Sequence, residues 1–117
     1  MRRALWTTAA FNLGGALLFA FPETLGRMAG FPSPVPGVYS TLLASFVLLF
    51  GGMYAWLARQ PRIDRPMVVL GAIGKTSAFV IAFTFWMTGD LPALTVATAA
   101  GDLTFAGIFV WWLLGDA

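Results

Sequence analysis

Apolar residues along this chain come in long blocks, without the strict alternation of a half-buried strand. Four blocks stand out, approximately residues 4–21, 38–57, 66–87 and 91–114. Each is near the roughly 20 residues that carry a helix across a hydrocarbon core about 30 Å thick. The pattern predicts an all-α integral membrane protein, an antiparallel four-transmembrane-helix bundle forming one domain over residues 1–117. A small barrel would need about eight strands of alternating pattern, and none is present. The first block follows Met1-Arg2-Arg3, as the apolar stretch of a signal peptide would. Its length, and the lack of an A-x-A-like site after it, mark it instead as a retained helix.

The connections carry the breakers. Between the first two blocks, Pro22, Pro32, Pro34 and Pro36 forbid a continuous helix. The early part of that loop suits one or two amphipathic turns in the headgroup region, with Leu25 and Met28 toward lipid. The second connection, residues 58–65, is short and basic; Asp64 is placed to cap the third helix and Pro66 to occupy its first turn. The third, Thr88-Gly89-Asp90, is a tight turn, with Asp90 placed to cap the fourth helix.

Charge then orients the blocks. Arg2, Arg3, Arg59, Arg62 and Arg65 fall on one side and only Arg27 on the other, so both termini are expected in the cytoplasm. Trp6, Trp56, Trp111 and Trp112 lie near the same boundary, and Tyr39 and Trp86 near the opposite one, the interfacial positions that Trp and Tyr favour. The expected location is the inner (cytoplasmic) membrane, crossed several times. Seven basic residues against five acidic ones are explained by this topology, so no nucleic-acid partner is expected.

Composition sharpens the class. Hydrophobic residues make up 59% of the chain and charged residues 10%, too little polar surface to enclose a water-soluble domain of 117 residues. The mean hydropathy of +0.82 agrees. The chain has no Cys and no His, which removes thiolate nucleophiles, the commonest metal ligand and the usual general base. No enzyme activity, cofactor or metal is expected.

Two charges remain inside the blocks, Lys75 and Asp102. Each costs about 2.5 to 3.5 kcal/mol at the centre of a spanning helix, so neither is expected to face lipid. Lys75 lies nine residues past Pro66, roughly 13 Å deep, and Asp102 twelve residues before Leu114, roughly 18 Å deep, at about 1.5 Å per residue. Their helices are joined by a tight turn, so the flexible lysine stem can close the difference. Asn12, roughly 12 Å into the first block, is level with both. The expectation is an intramembrane Lys75–Asp102 ion pair in a cluster with Asn12; the hydroxyls of Ser45 and Thr98, along with Thr76, Ser77 and Thr104, either add partners to it or bond back to their own helices. Such a cluster either fixes helix register or holds a ligand or ion.

Glycines at 14, 15, 51, 52, 71, 74, 101 and 107 let helix backbones approach closely. Gly74-Lys75-Thr76 is not a phosphate loop, because Val69 stands where that motif needs Gly and no strand precedes it. Glu23 and Arg27, four apart, are expected to pair weakly at the surface.

At Phe11-Asn12-Leu13-Gly14-Gly15, Phe21-Pro22-Glu23, Gly71-Ala72-Ile73-Gly74-Lys75 and Gly101-Asp102-Leu103, the chain resembles small bacterial four-helix inner-membrane proteins of the DoxX/DoxD-like kind. The resemblance spans nearly the whole length. It implies the four-helix architecture and, as in DoxD-like proteins, an association with membrane-bound quinone-linked oxidoreductases. Small multidrug exporters are similar only in length and helix count, having a carboxylate in the first helix where this chain has Asn12.

Two functions follow. One is binding or transport of a small lipophilic molecule or an ion at a midplane site lined by Asn12, Lys75 and Asp102. The other is an accessory or assembly subunit of a larger membrane complex, in which the polar trio only stabilises the bundle. Expected partners are membrane lipids, with a homo-oligomer or a larger membrane complex beside them.

Overall fold

Each apolar block becomes a helix, and each breaker a connection. The computed structural model describes residues 1–115, with helices α1 (Arg2–Ala20), α2 (Gly37–Arg59), α3 (Arg65–Met87) and α4 (Ala93–Gly115). A single π-helical turn, Pro22–Gly26, follows α1, and no strand occurs among the described residues. Three helices, α2, α3 and α4, are each 23 residues long and apolar enough to cross a membrane. The N-terminal helix is shorter, at 19 residues, and begins with Arg2 and Arg3.

The distribution of apolar side chains is inverted relative to a water-soluble fold. Only 22% to 28% of the residues in the apolar stretches of α2, α3 and α4 are buried inside the molecule. Leu49, Phe46, Ile73, Ile81, Leu94 and Leu114 are among the many large apolar side chains on the outside. In water such a surface would aggregate; against acyl chains it is solvated. The protein is therefore a multi-pass membrane protein, and its long axis of 44 Å is comparable with the roughly 40–45 Å of a bilayer that includes its headgroups.

Successive helices run antiparallel. Helix α1 packs along α2 and α3 along α4, while α1 also touches α4. Gly51 permits the first contact: a Cβ there would lie 3.1 Å from Asn12 Cβ and 3.5 Å from the Ala9 carbonyl oxygen. The buried core gathers at the arginine-rich end, where Leu5 of α1, Tyr54, Leu57 and Ala58 of α2, Val68 and Ala72 of α3 and Phe109 of α4 meet. Toward the other end, the buried apolar residues are Ala16, Ala82 and Ala99. There the helices close by small residues rather than large ones.

The π turn accounts for the entry to the long loop. Gly26 N–H donates to the Phe21 carbonyl and Phe31 N–H to the Gly26 carbonyl, both five residues back and both at 3.0 Å. Leu25 and Met28 are exposed, with Met28 at 75%. The loop is fastened to the start of α4, where the buried Thr95 hydroxyl donates to the Ala29 carbonyl at 3.1 Å. Gly30 sits at that junction with φ +86°, and a Cβ there would lie 2.5 Å from Thr95 Oγ1.

Three local expectations are corrected. Arg27 donates to Ser33 Oγ at 3.2 Å rather than pairing with Glu23, because the π turn spoils the α-helical four-residue spacing. Asp64 does precede α3 but makes no side-chain cap bond. Asp90 Oδ2 accepts the Thr88 hydroxyl at 2.8 Å, and α4 begins only at Ala93, after Pro92.

Candidate functional site: a caged lysine between four helices

Lys75 sits midway along α3 on a face too crowded for solvent, with 5% of its surface exposed. A buried ammonium is tolerated only where oxygen acceptors replace its water. Two do. Nζ donates to Asp102 Oδ1 of α4 at 2.8 Å and to Asn12 Oδ1 of α1. The Asn12 amide in turn donates through Nδ2 to the Val47 carbonyl of α2 at 3.0 Å. One chain of hydrogen bonds thus joins all four helices at one level.

Aromatic rings close the remaining directions. Nζ lies 4.8 Å from the ring centroid of Phe11, 5.6 Å from that of Tyr54 and 6.0 Å from that of Phe105. Ring faces carry negative quadrupole charge, so they favour the ammonium where no further oxygen is present. Phe11 and Phe105 pack edge to face at 5.4 Å, and Phe11 rests against Gly101, where a Cβ would come within 2.5 Å of its ring. Tyr54 leans on Gly71 in the same way, at 2.8 Å. The two glycines are the hollows into which the cage rings fit.

The cluster balances electrically. It holds one cation, one anion and one neutral amide, and no buried side-chain nitrogen or oxygen among the described residues lacks a partner. Asp102 is the most open member, with 18% of its side chain exposed, and its Oδ2 accepts no hydrogen bond from the described residues. Among the described residues, no three carboxylates gather where a metal would need them.

Of the five residues singled out from the sequence, the structure brings Asn12, Lys75 and Asp102 together and leaves Ser45 and Thr98 out. Ser45 is on the outer side of α2 and donates to the Leu42 carbonyl at 2.9 Å. Thr98 is half-buried and donates to the Leu94 carbonyl at 3.0 Å. Each hydroxyl bonds back to its own helix, the usual alternative to an interhelical bond. Ser77 and Thr104 do the same, to the Ile73 and Ala100 carbonyls. The residues missed are Phe11, Tyr54 and Phe105. Their one sequence signal is spacing: Phe105 lies three residues past Asp102, and Tyr54 two turns past Val47.

The two clefts described on the molecule include no member of the trio. One opens at the arginine-rich end, and the other is an apolar groove on the outer faces of α3 and α4, around Ile73 and Val80. Compared with family models, with curated proteins and with solved structures, the chain gives no significant match.

Proposed function

We propose that this protein is a non-enzymatic, four-span protein of the bacterial inner membrane that serves as an accessory or assembly subunit of a larger membrane complex. In this reading the Asn12–Lys75–Asp102 cluster locks the helices and turns over no substrate. The observation that carries it is the saturation of Lys75: two oxygens and three rings already surround the ammonium, leaving no room for a cargo beside it. Helix α1 acts as the fourth span, antiparallel to α2 and carrying Asn12 to the level of Lys75. Both termini face the cytoplasm, following the arginines. What remains for interaction is the apolar exterior, and the DoxX/DoxD-like resemblance is the reason to look for the partner among quinone-linked oxidoreductases.

A second reading is the binding or transport of a small lipophilic molecule or an ion. The partly exposed Asp102 Oδ2, with acceptor capacity to spare, favours it. One pair of experiments separates the two. In proteoliposomes the accessory reading expects no protein-dependent proton or alkali-cation flux. It also expects a K75M/D102L double variant to remain inserted and to migrate with the same partners as wild type in mild detergent. A flux that the double variant abolishes would decide for transport.

A further inference from the structure

The most basic feature of the molecule lies away from the caged lysine. At the end where α1 and α3 begin and α4 finishes, a cleft of about 1110 Å³ is open to the outside. Arg2, Arg3, Arg62 and Arg65 line it, and Asp64 is the one carboxylate among its described lining residues. Charge of one sign packed this closely is unfavourable unless something of the opposite sign is present.

Two of the four arginines are held in place by backbone. Arg2 donates to the carbonyls of Gln60 and Pro61 at 2.5 and 2.8 Å, which ties α1 to the connection after α2. Arg65 donates to the Leu113 carbonyl at 2.6 Å and stacks over the ring of Trp112, its Cζ 5.3 Å from the centroid. The carbonyl contacts of Arg2 fix where its positive charge sits without neutralising it. Arg3 and Arg62 have no side-chain partner among the described residues, so their planar N–H forks are unspent. The first turns of α1 and α3 open here too, and neither carries a side-chain cap. Their positive dipole ends add to the field.

We propose that this cleft is a binding site for a phosphate oxyanion, supplied in the membrane by the headgroup of an anionic phospholipid. Phosphate matches the guanidinium fork in geometry and charge, which a carboxylate-poor and arginine-rich cleft requires. Trp112 at its wall sets the level: the ring packs against the core cluster, while Arg65 covers its face. A Trp so placed marks the headgroup boundary, so a lipid phosphate reaches the cleft from the side while its acyl chains stay beside the helices.

The test is native mass spectrometry of the full chain, delipidated in detergent and titrated in separate arms with phosphatidylglycerol, with phosphatidylcholine and with inorganic phosphate. One phosphatidylglycerol is expected per chain, bound at least about tenfold more tightly than phosphatidylcholine, whose quaternary ammonium cancels the charge of the same phosphodiester and is repelled by the arginines. R3Q/R62Q should weaken it by about tenfold, whereas R59Q, which removes the same kind of charge at the same end but outside the cleft, should leave it within about twofold. R3K/R62K keeps the charges that orient the chain and loses the forks, so it should insert normally and still bind more weakly. Displacement by millimolar inorganic phosphate would support the oxyanion site and assign a soluble source. Equal binding of both lipids would mean that the arginines do not select the headgroup, and equal losses from R59Q and R3Q/R62Q would reduce the cleft to a general basic surface; either overturns the proposal.

Discussion

Replacing Lys75 and Asp102 separately and together measures what the intramembrane pair is worth. D102L leaves the Lys75 ammonium, 5% exposed, with the Asn12 amide as its remaining oxygen partner. Stranding a buried charge in this way costs about 3–5 kcal/mol. K75M strands Asp102 instead. That carboxyl retains 18% side-chain exposure, so its loss should fall near the lower end, about 3 kcal/mol. The double variant K75M/D102L strands no charge and roughly conserves volume; its chief deficit is the Asn12 Oδ1 left without a donor, worth about 1–2 kcal/mol. The singles therefore sum to far more than the double, with a coupling of at least about 3 kcal/mol. Titrating dodecyl maltoside micelles with sodium dodecyl sulfate and following helicity by circular dichroism gives the three differences. Losses that simply add, within about 0.5 kcal/mol, would mean that the two side chains do not sense one another, and the cage would lose its meaning.

Other perturbations read neighbouring parts of the structure in the same unfolding assay. G101A drives a methyl into the ring of Phe11 and should cost about 1–3 kcal/mol, while G107A, where nothing lies within 4 Å, should be neutral or slightly stabilising. If both were equally harmless, Phe11 would not be held as described. G30A combines φ +86° with a Cβ 2.5 Å from Thr95 Oγ1, so it should lose about 1–3 kcal/mol and loosen the long loop, seen as faster proteolysis between α1 and α2. S45A and T98A should each stay within about 0.5 kcal/mol of wild type, and a larger effect from either would return it to the polar cluster.

How far the sequence alone reaches depends on which coordinate of a helix is asked for. Position along the axis is legible: Pro22, Pro36, Pro66 and the arginines at 59–65 bound the apolar blocks, and the observed helices begin and end within about two residues of them. Depth is legible for the same reason, since about 1.5 Å per residue brings Asn12, Lys75 and Asp102 to one level. Rotation about the axis is not. Ser45 and Thr98 offered hydroxyls to the cluster, yet Ser45 is exposed and both bond back to their own helices, and on helices apolar all round no periodic pattern reveals which side is inside. Phe11, Tyr54 and Phe105 were missed for the converse reason: an aromatic facing lysine and one facing lipid look alike in the sequence. The Glu23–Arg27 pair failed because its spacing assumes α-helical geometry where a π turn stands.

Both charges of the caged pair belong to the same helical hairpin, 27 residues apart, and this bears on biogenesis. While the ribosome has delivered α3 but not α4, the lysine has no counter-ion, and its cost of about 2.5–3.5 kcal/mol is offset by the apolar residues of α3 alone. Once α4 follows, the hairpin neutralises itself and partitions as one unit. The asparagine of α1 has by then been made, so the last event is lateral docking of a hairpin already free of net charge in its middle.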